Sequence, residues 1–574
     1  MLVVFTYFYL AMIFLVEGFG VNRGRELVLL LIVTMPLFLV LGSLISKKNL
    51  FVSRVTGLFL IVFIVLSLIP TLFSIDRQIS FEQWLYLLSL VLIYVWSVNN
   101  KQILRRWLDL FIIVMGVVLC CVSRFFQLFP TISLFSVNDF NLIILNSFVH
   151  NHLGDFLGLA IIVTTFKLFE KKRLYLIVLL LIFIYHFLFA FSRTAYLSLF
   201  ITLIISLIKI KNKHPIKIIL ICMIIIIAGA ALLLVNKEFH NLLHWNSLYK
   251  TLETVFHYQD KSLFSNRDIY FRWAWQSIIE RPFAGVGLGN FYQVSLRYSL
   301  IPFHGSMSSM NIFLDYFAEG GLIFGFFIIV FAIYLYKRIT FNSSIIYLFL
   351  TFQTYWMHKF YVIFLLFILM IGLSNKDNIK ATKINVNKVL LVSAVILFII
   401  SNRIIISQAL LNVNNPTRSH MALMLYPLNK LAIFQRAYQQ TSLFGFNYYV
   451  KRYLRVSQAS IVDNYLLGKT YLEYGNKHKA LNMFIKVYYW SPFYFEDDFG
   501  NRAIGGKMLF KRIFLLKKKL IGVKNAMFFA DQYLTKVSSI NKINNYPDLI
   551  FNDAKYFCKE LYGNKCPYDL EYPH

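Results

Sequence analysis

Charge is scarce in this chain. Asp, Glu, Lys and Arg make up 15% of its 574 residues, where a soluble domain carries about 25%. Cysteine is scarce too: five residues, with no Cys-x-x-Cys pair to suggest a zinc site. No small-residue cleavage site follows the first apolar run, so that run does not read as a signal peptide. The run Gly285-Val286-Gly287-Leu288-Gly289 lacks a preceding strand and a following ordinary helix. That excludes a dinucleotide fingerprint and leaves a tight turn where backbone approaches a helix or a ligand.

Apolar residues are what the chain has. They form 58% of it, including 58 Phe and 35 Tyr. Ordinary soluble cores cannot hide that much apolar surface. A soluble enzyme, a disordered chain and a nucleic-acid-binding domain are therefore excluded as expectations. The net charge of +30 does not point to nucleic acid. Its Lys and Arg fall between apolar runs, where the positive-inside rule places them.

Apolar segments at about 2–16, 27–46, 55–74, 83–98, 107–129, 152–169, 174–191, 195–209, 217–235, 311–336, 344–357, 359–373 and 389–408 predict an all-α polytopic membrane protein with 12–13 transmembrane helices in a lipid bilayer. The stretch 343–373 divides at Trp356–Lys359. Basic loops alternate: Lys47, Lys48 and Arg54 after the second span; Lys101, Arg105 and Arg106 after the fourth; Lys171, Lys172 and Arg173 after the sixth; Lys337 and Arg338 after the tenth. Basic loops stay in the cytoplasm. The alternation predicts an N-terminus inside, and a large loop at 236–310 and a tail from 409 to 574 outside. The transmembrane part spans 1–408.

The tail is more polar. Leu467-Gly468-x-x-Tyr471, then Ala480-x-x-x-Phe484, then Pro492, has the spacing of one tetratricopeptide unit, near 459–492. Small Gly468 and Ala480 would let two helices approach, with Tyr471 and Phe484 between them; an ordinary helical hairpin fits the same spacing. Cys558 and Cys566 form a disulfide if the tail lies in an oxidising compartment. Cys120, Cys121 and Cys222 lie in apolar runs and read as packing residues.

Polar residues beside the spans are costly and usually functional. Arg193 stands in a short turn between the seventh and eighth spans; snorkelling is its simplest explanation. Arg267 precedes an amphipathic stretch, with Asp268 or Glu280 as a possible ion-pair partner. Asp315 and Glu319, at i and i+4, share one face of the tenth span just after Asn311; helix-dipole stabilisation would explain them without function. His150-Asn151-His152 with Asp155 opens the sixth span, where Asn151 reads as a cap.

In order and spacing these elements resemble the bacterial O-antigen ligase superfamily. The resembling elements are His150-Asn151-His152-Leu153-Gly154, Ser192-Arg193-Thr194-Ala195, Arg267, Pro282-Phe283-Ala284-Gly285-Val286-Gly287, and Asn311-x-x-Leu314 with Ala318-Glu319-x-Gly321-Leu322. The extra last span and the external tetratricopeptide-like tail are similar to the protein O-oligosaccharyltransferase branch, especially its pilin-glycosylating enzymes.

The resemblance implies a glycosyltransferase of the bacterial inner membrane that needs no metal and no cofactor. It would move a glycan from undecaprenyl diphosphate to a Ser or Thr hydroxyl of an exported protein such as pilin. Arg193 and Arg267 match the family's diphosphate-binding arginines; Asn311, Asp315 and Glu319 would line the substrate site. The family places His immediately before Asn311, and this chain has Met310 there. The base is then assigned to His304, six residues earlier, with Asp315 or Glu319 as fallback. Alternatives are an O-antigen polymerase, a lipid A-core ligase, a non-catalytic homologue, or a glycan transporter. A transporter would show broken spans and polar groups deep in the bilayer.

Overall fold

A computed structural model describes residues 24–47, 49–128, 148–171, 173–190, 192–209, 267–298, 306–340, 342–354, 356–359, 361–376, 383–412, 415–440, 443–456, 461–490, 509–538, 548–562 and 566–568. The expected spans at 2–16 and 217–235, together with His304, Cys222 and Pro492, lie outside the described residues. Among the described residues there are twenty-one α-helices and one two-stranded sheet. Helices suit these sequences because lipid offers no partner for backbone polar groups, which must bond within their own segment.

Among the described residues four helices are long and apolar enough to cross a membrane: Arg54–Leu72, Arg77–Asn99, Ile312–Arg338 and Asn387–Ala409. Six shorter apolar helices accompany them, among them Ser343–Gln353 and Tyr361–Ser374. The protein is a multi-pass membrane protein. On Arg54–Leu72 the exposed residues Leu58, Ile61 and Val65 recur at helical spacing, as a lipid-facing stripe requires. Arg77–Asn99 is buried on more sides. Its Ser89 and Ser97 hydroxyls donate to the carbonyls of Tyr86 and Tyr94, which satisfies both within the helix.

The chain divides into two compact units. The first is drawn from Met1–Ile69, Glu82–Arg272 and Ser308–Ile405; the second from Pro70–Phe81, Trp273–Met307 and Ile406–His574. The second unit thus takes in two short pieces well before the tail.

In the first unit, the basic loops meet at one end. Phe51–Ser53 pairs antiparallel with Lys383–Asn385, Phe51 opposite Asn385. The Phe51 N–H donates to Asn99 Oδ1 at 2.9 Å, and Asn99 Nδ2 donates to the Phe51 carbonyl at 2.8 Å. Lys101 Nζ donates to the Asn375 carbonyl. The Lys376 N–H donates to the Arg338 carbonyl at 2.6 Å. Loops that the charge pattern assigns to one side are therefore bonded to one another.

In the second unit, the glycine run is a turn against the segment Ser74–Ser80. Gly287 has φ +101°, and a Cβ there would stand 2.2 Å from Ser74 Oγ, so only glycine fits. Asn290 Nδ2 donates to Ser74 Oγ at 2.9 Å and to Ser80 Oγ at 2.8 Å. The backbone approaches a helix start here. A two-turn helix, Phe291–Tyr298, does follow the glycines, contrary to the sequence expectation.

The tail folds as packed helices. Ile461–Glu473 and Lys477–Trp490 form an antiparallel hairpin joined at Gly475, whose φ is +74°. A Cβ on Gly468 would lie 2.5 Å from the Phe484 ring, which explains the small residue. Ala480 and Phe484 are fully buried. Burial of a Phe side chain stabilises by about 1.5–3 kcal/mol. Cys558, at the base of this core, is disulfide-bonded to Cys566, with 5.6 Å between their Cα atoms.

Candidate functional site

The Ile312–Arg338 helix begins at a cap. Asn311 is extended, with φ −144° and ψ 124°, and its Oδ1 accepts the Leu314 N–H at 3.0 Å. Its Nδ2 donates to Gln353 Oε1 at 2.9 Å, tying the cap to the end of Ser343–Thr354. Met310, just before it, has φ +67°, in the left-handed region that non-glycine residues seldom occupy. That reversal turns Ser308 and Ser309 back over the first turn of the helix. There the Ser309 N–H donates to Asp315 Oδ1 at 2.6 Å, and Ser308 Oγ donates to Asp315 Oδ2.

The helix does not run straight. Gly321 has φ +77° and ψ 176°, a conformation open essentially to glycine alone. Asp315 and Glu319 therefore sit on a short first piece, set off from the apolar piece that ends at Arg338. Gly320 and Gly325 flank the break, where added Cβ atoms would meet the rings of Phe324 and Phe317 at 2.3 Å.

Both carboxylates are buried and both are met from one turn, the 3-10 segment Trp356–Lys359. His358 Nε2 lies 2.7 Å from Asp315 Oδ2. Lys359 Nζ lies 2.6 Å from Glu319 Oε1 and 4.0 Å from Asp315 Oδ2. Ser343–Thr354 and Tyr361–Ser374 have 12 and 14 residues, so the turn between them holds a His-Lys pair at the apolar ends of both. Two carboxylates, an imidazole and an ammonium thus form one buried cluster. Isolated charges there would be prohibitive; paired and hydrogen-bonded they persist.

A second polar cluster lies on the Phe148–Lys171 helix. Asp155 is fully buried and neither carboxyl oxygen has a hydrogen-bond partner. The charge of Arg267 acts on it. One turn on, Gly158 leaves room for Tyr347: a Cβ there would stand 2.1 Å from the Tyr347 hydroxyl. That hydroxyl is likewise buried and unpartnered. Tyr347 and Gln353 lie on one helix, six positions and roughly 9 Å apart along its axis, so the two clusters share that helix. The Ser192–Arg193 turn packs on the Phe148–Lys171 helix next to Asp155, since a Cβ on Gly154 would meet Ser192 Cβ at 2.7 Å. Ser192 Oγ accepts the Ala195 N–H at 3.3 Å, making Arg193 the first residue of its helix.

The structure thus brings the Ser192–Arg193 turn against the Phe148–Lys171 helix next to Asp155, leaves Arg267, the first residue of the Arg267–Glu280 helix, within electrostatic reach of that carboxyl, and joins Asn311, Asp315 and Glu319 in another cluster. His304 lies outside the described residues. Several local expectations are corrected. Asp268 pairs with Arg272 at 2.6 Å, not with Arg267, because i and i+4 share a helix face. Asn151 lies inside its helix, which begins at Phe148, so it is not the cap. Cys120 is buried, but Cys121 is exposed on the other face. His358 and Lys359 were missed by sequence reasoning. Their signal was present: a basic pair interrupting an otherwise apolar stretch, where ionisable groups are costly.

Residues 176–330 match the family model described as O-Antigen ligase. The match covers about a quarter of the chain. It includes Arg193, Arg267, Asn311, Asp315 and Glu319, stops before His358, and supports the O-antigen ligase superfamily. No curated protein and no solved structure matches the chain.

Proposed function

We propose that this protein transfers a glycan from an undecaprenyl-diphosphate carrier to a Ser or Thr hydroxyl of an exported protein such as pilin. One observation carries the reading: the Ser192–Arg193 turn packs against Gly154, next to a buried Asp155 that lies within electrostatic reach of Arg267, and both arginines fall in the stretch that resembles O-antigen ligases. A guanidinium is always charged and pairs bidentately with phosphate oxygens. Two of them would hold the diphosphate and stabilise the charge that grows on it as the sugar leaves. Asn311, Asp315 and Glu319 would organise the adjoining wall rather than touch the sugar, because their polar atoms already hold Gln353, Ser308, Ser309, His358 and Lys359.

In this reading 1–408 is the inner-membrane domain, the end with the basic loops faces the cytoplasm, and the tail from 409 is periplasmic. The tail's helical hairpin, tetratricopeptide-like in spacing, would hold the acceptor protein. A second reading is favoured by the match to O-antigen ligases: the acceptor is a sugar of a lipid A core or of a growing O-antigen. The chemistry at the donor is the same, and the acceptor separates the two.

The experiment compares a gene-deleted strain carrying the wild-type chain, Arg267→Ala or Arg193→Lys at equal membrane levels. Exported proteins and lipopolysaccharide are both probed for glycan. Glycan on exported proteins that disappears in either variant is the expected result. Glycan lost only from lipopolysaccharide would favour the second reading. Normal modification of both without the gene would refute the transfer reading.

A further inference from the structure

Asp315 already accepts from the Ser309 N–H and from the Ser308 hydroxyl, and Lys359 Nζ stands 4.0 Å away. A carboxylate that accepts from all sides takes a donor from the imidazole as well. His358 Nε2 therefore carries the hydrogen, and Nδ1 presents its lone pair. Only 4% of the His358 side chain is exposed, and Nδ1 is buried with no hydrogen-bond partner. A purely structural histidine would have both nitrogens satisfied, as buried polar atoms nearly always are; leaving one unmet costs about 1–3 kcal/mol. The charged groups within electrostatic reach of the ring are Asp315, Glu319 and Lys359, and the Phe352 ring lies edge-on at 6.2 Å. The result is a bare imidazole nitrogen held in one tautomer by a fixed carboxylate, the arrangement a general base needs.

We propose that His358 Nδ1 is the base that takes the proton of the acceptor hydroxyl, with Asp315 as the residue that positions it. This rests on the transfer reading above. As the hydroxyl oxygen bonds to the anomeric carbon, its proton passes to Nδ1. The bond from that carbon to the diphosphate oxygen breaks, and its electron pair leaves with the polyprenyl diphosphate. The imidazolium, stabilised by Asp315, then gives its proton to water. Lys359, held by Glu319, fixes the turn that carries the ring.

The test uses the full-length protein in liposomes, with lipid-linked glycan and, as acceptors in parallel, the exported-protein fraction and lipopolysaccharide, all taken from the gene-deleted strain. His358→Gln is expected to lower kcat roughly 10²–10⁴-fold, with KM for the lipid-linked glycan within a few-fold of wild type. The wild-type rate should fall toward low pH, and that fall should vanish from the residual activity of the variant. Asp315→Asn should lower kcat and move that acid limb. Free imidazole added to His358→Ala should raise the rate in proportion to its neutral form, a rescue that a packing role would not give. If His358→Gln does not fold, His358→Asn and the imidazole rescue decide the matter. A kcat within threefold of wild type, with an unchanged pH profile, overturns the assignment while transfer itself stands. No transfer by the wild-type chain, to protein or to lipopolysaccharide, overturns the transfer reading and this assignment together.

Discussion

His358 Nε2 and Asp315 Oδ2 stand 2.7 Å apart although 43 positions separate them in the chain. The neighbouring pair, Lys359 and Glu319, repeats the relationship one residue on and one helical turn along. Two consecutive residues of a short turn thus reach two carboxylates at i and i+4 of one helix. The turn is docked by both contacts, and each depends on the other being made.

That coupling predicts a pattern of stabilities. Glu319→Gln or Lys359→Met alone takes from its partner's charge the counter-charge at 2.6 Å, and should destabilise by about 3–5 kcal/mol. Glu319→Leu combined with Lys359→Met removes both charges and should lose much less. Thermal unfolding of the three proteins in detergent measures this. Additive losses would mean that the two side chains do not act as a pair.

Backbone conformation predicts a second set. At Gly321, with φ +77° and ψ 176°, Gly321→Ala should cost about 1–3 kcal/mol and disturb transfer by shifting Glu319. At Met310, with φ +67°, Met310→Gly should be tolerated. Met310→Ile should destabilise by about 1–2 kcal/mol, because a β-branched side chain crowds the left-handed backbone. Met310→His restores the arrangement of the resembled family and should keep activity at or above wild type. Folded, fully stable Gly321→Ala protein would show that the helix is not broken there.

The Cys558–Cys566 bond predicts that neither thiol is alkylated in membranes unless reductant is added first. Replacing both by serine should lower the stability of the tail by about 2–3 kcal/mol, read as earlier proteolysis of the tail on heating. Labelling without reductant would place the tail in a reducing compartment.

Topology offers a separate check. Reporter fusions after Lys388 and after Asn415 flank the Asn387–Ala409 helix. They should report opposite sides of the membrane, the first cytoplasmic. Two reporters on one side would remove this helix from the set of spans.

The amino-acid sequence by itself determined the class of protein and its local elements. Apolar runs of bilayer length, basic loops between them, the Gly468–Phe484 contact and the turn at Gly285–Gly289 all depend on residues near one another in the chain. Their signals are periodicity, size and backbone freedom, which any short window carries. The face shared by Asp315 and Glu319 was legible for the same reason. What meets that face was not. His358 and Lys359 come from another helix pair, Asp155 from a third, and Asp268, one of two partners expected for Arg267, pairs with Arg272. Which nitrogen of His358 is bare depends on three separate donors converging on Asp315. Such contacts are chosen by the packing of whole helices, where burying a charge is tolerable only beside its counter-charge. Only the tertiary structure decided them.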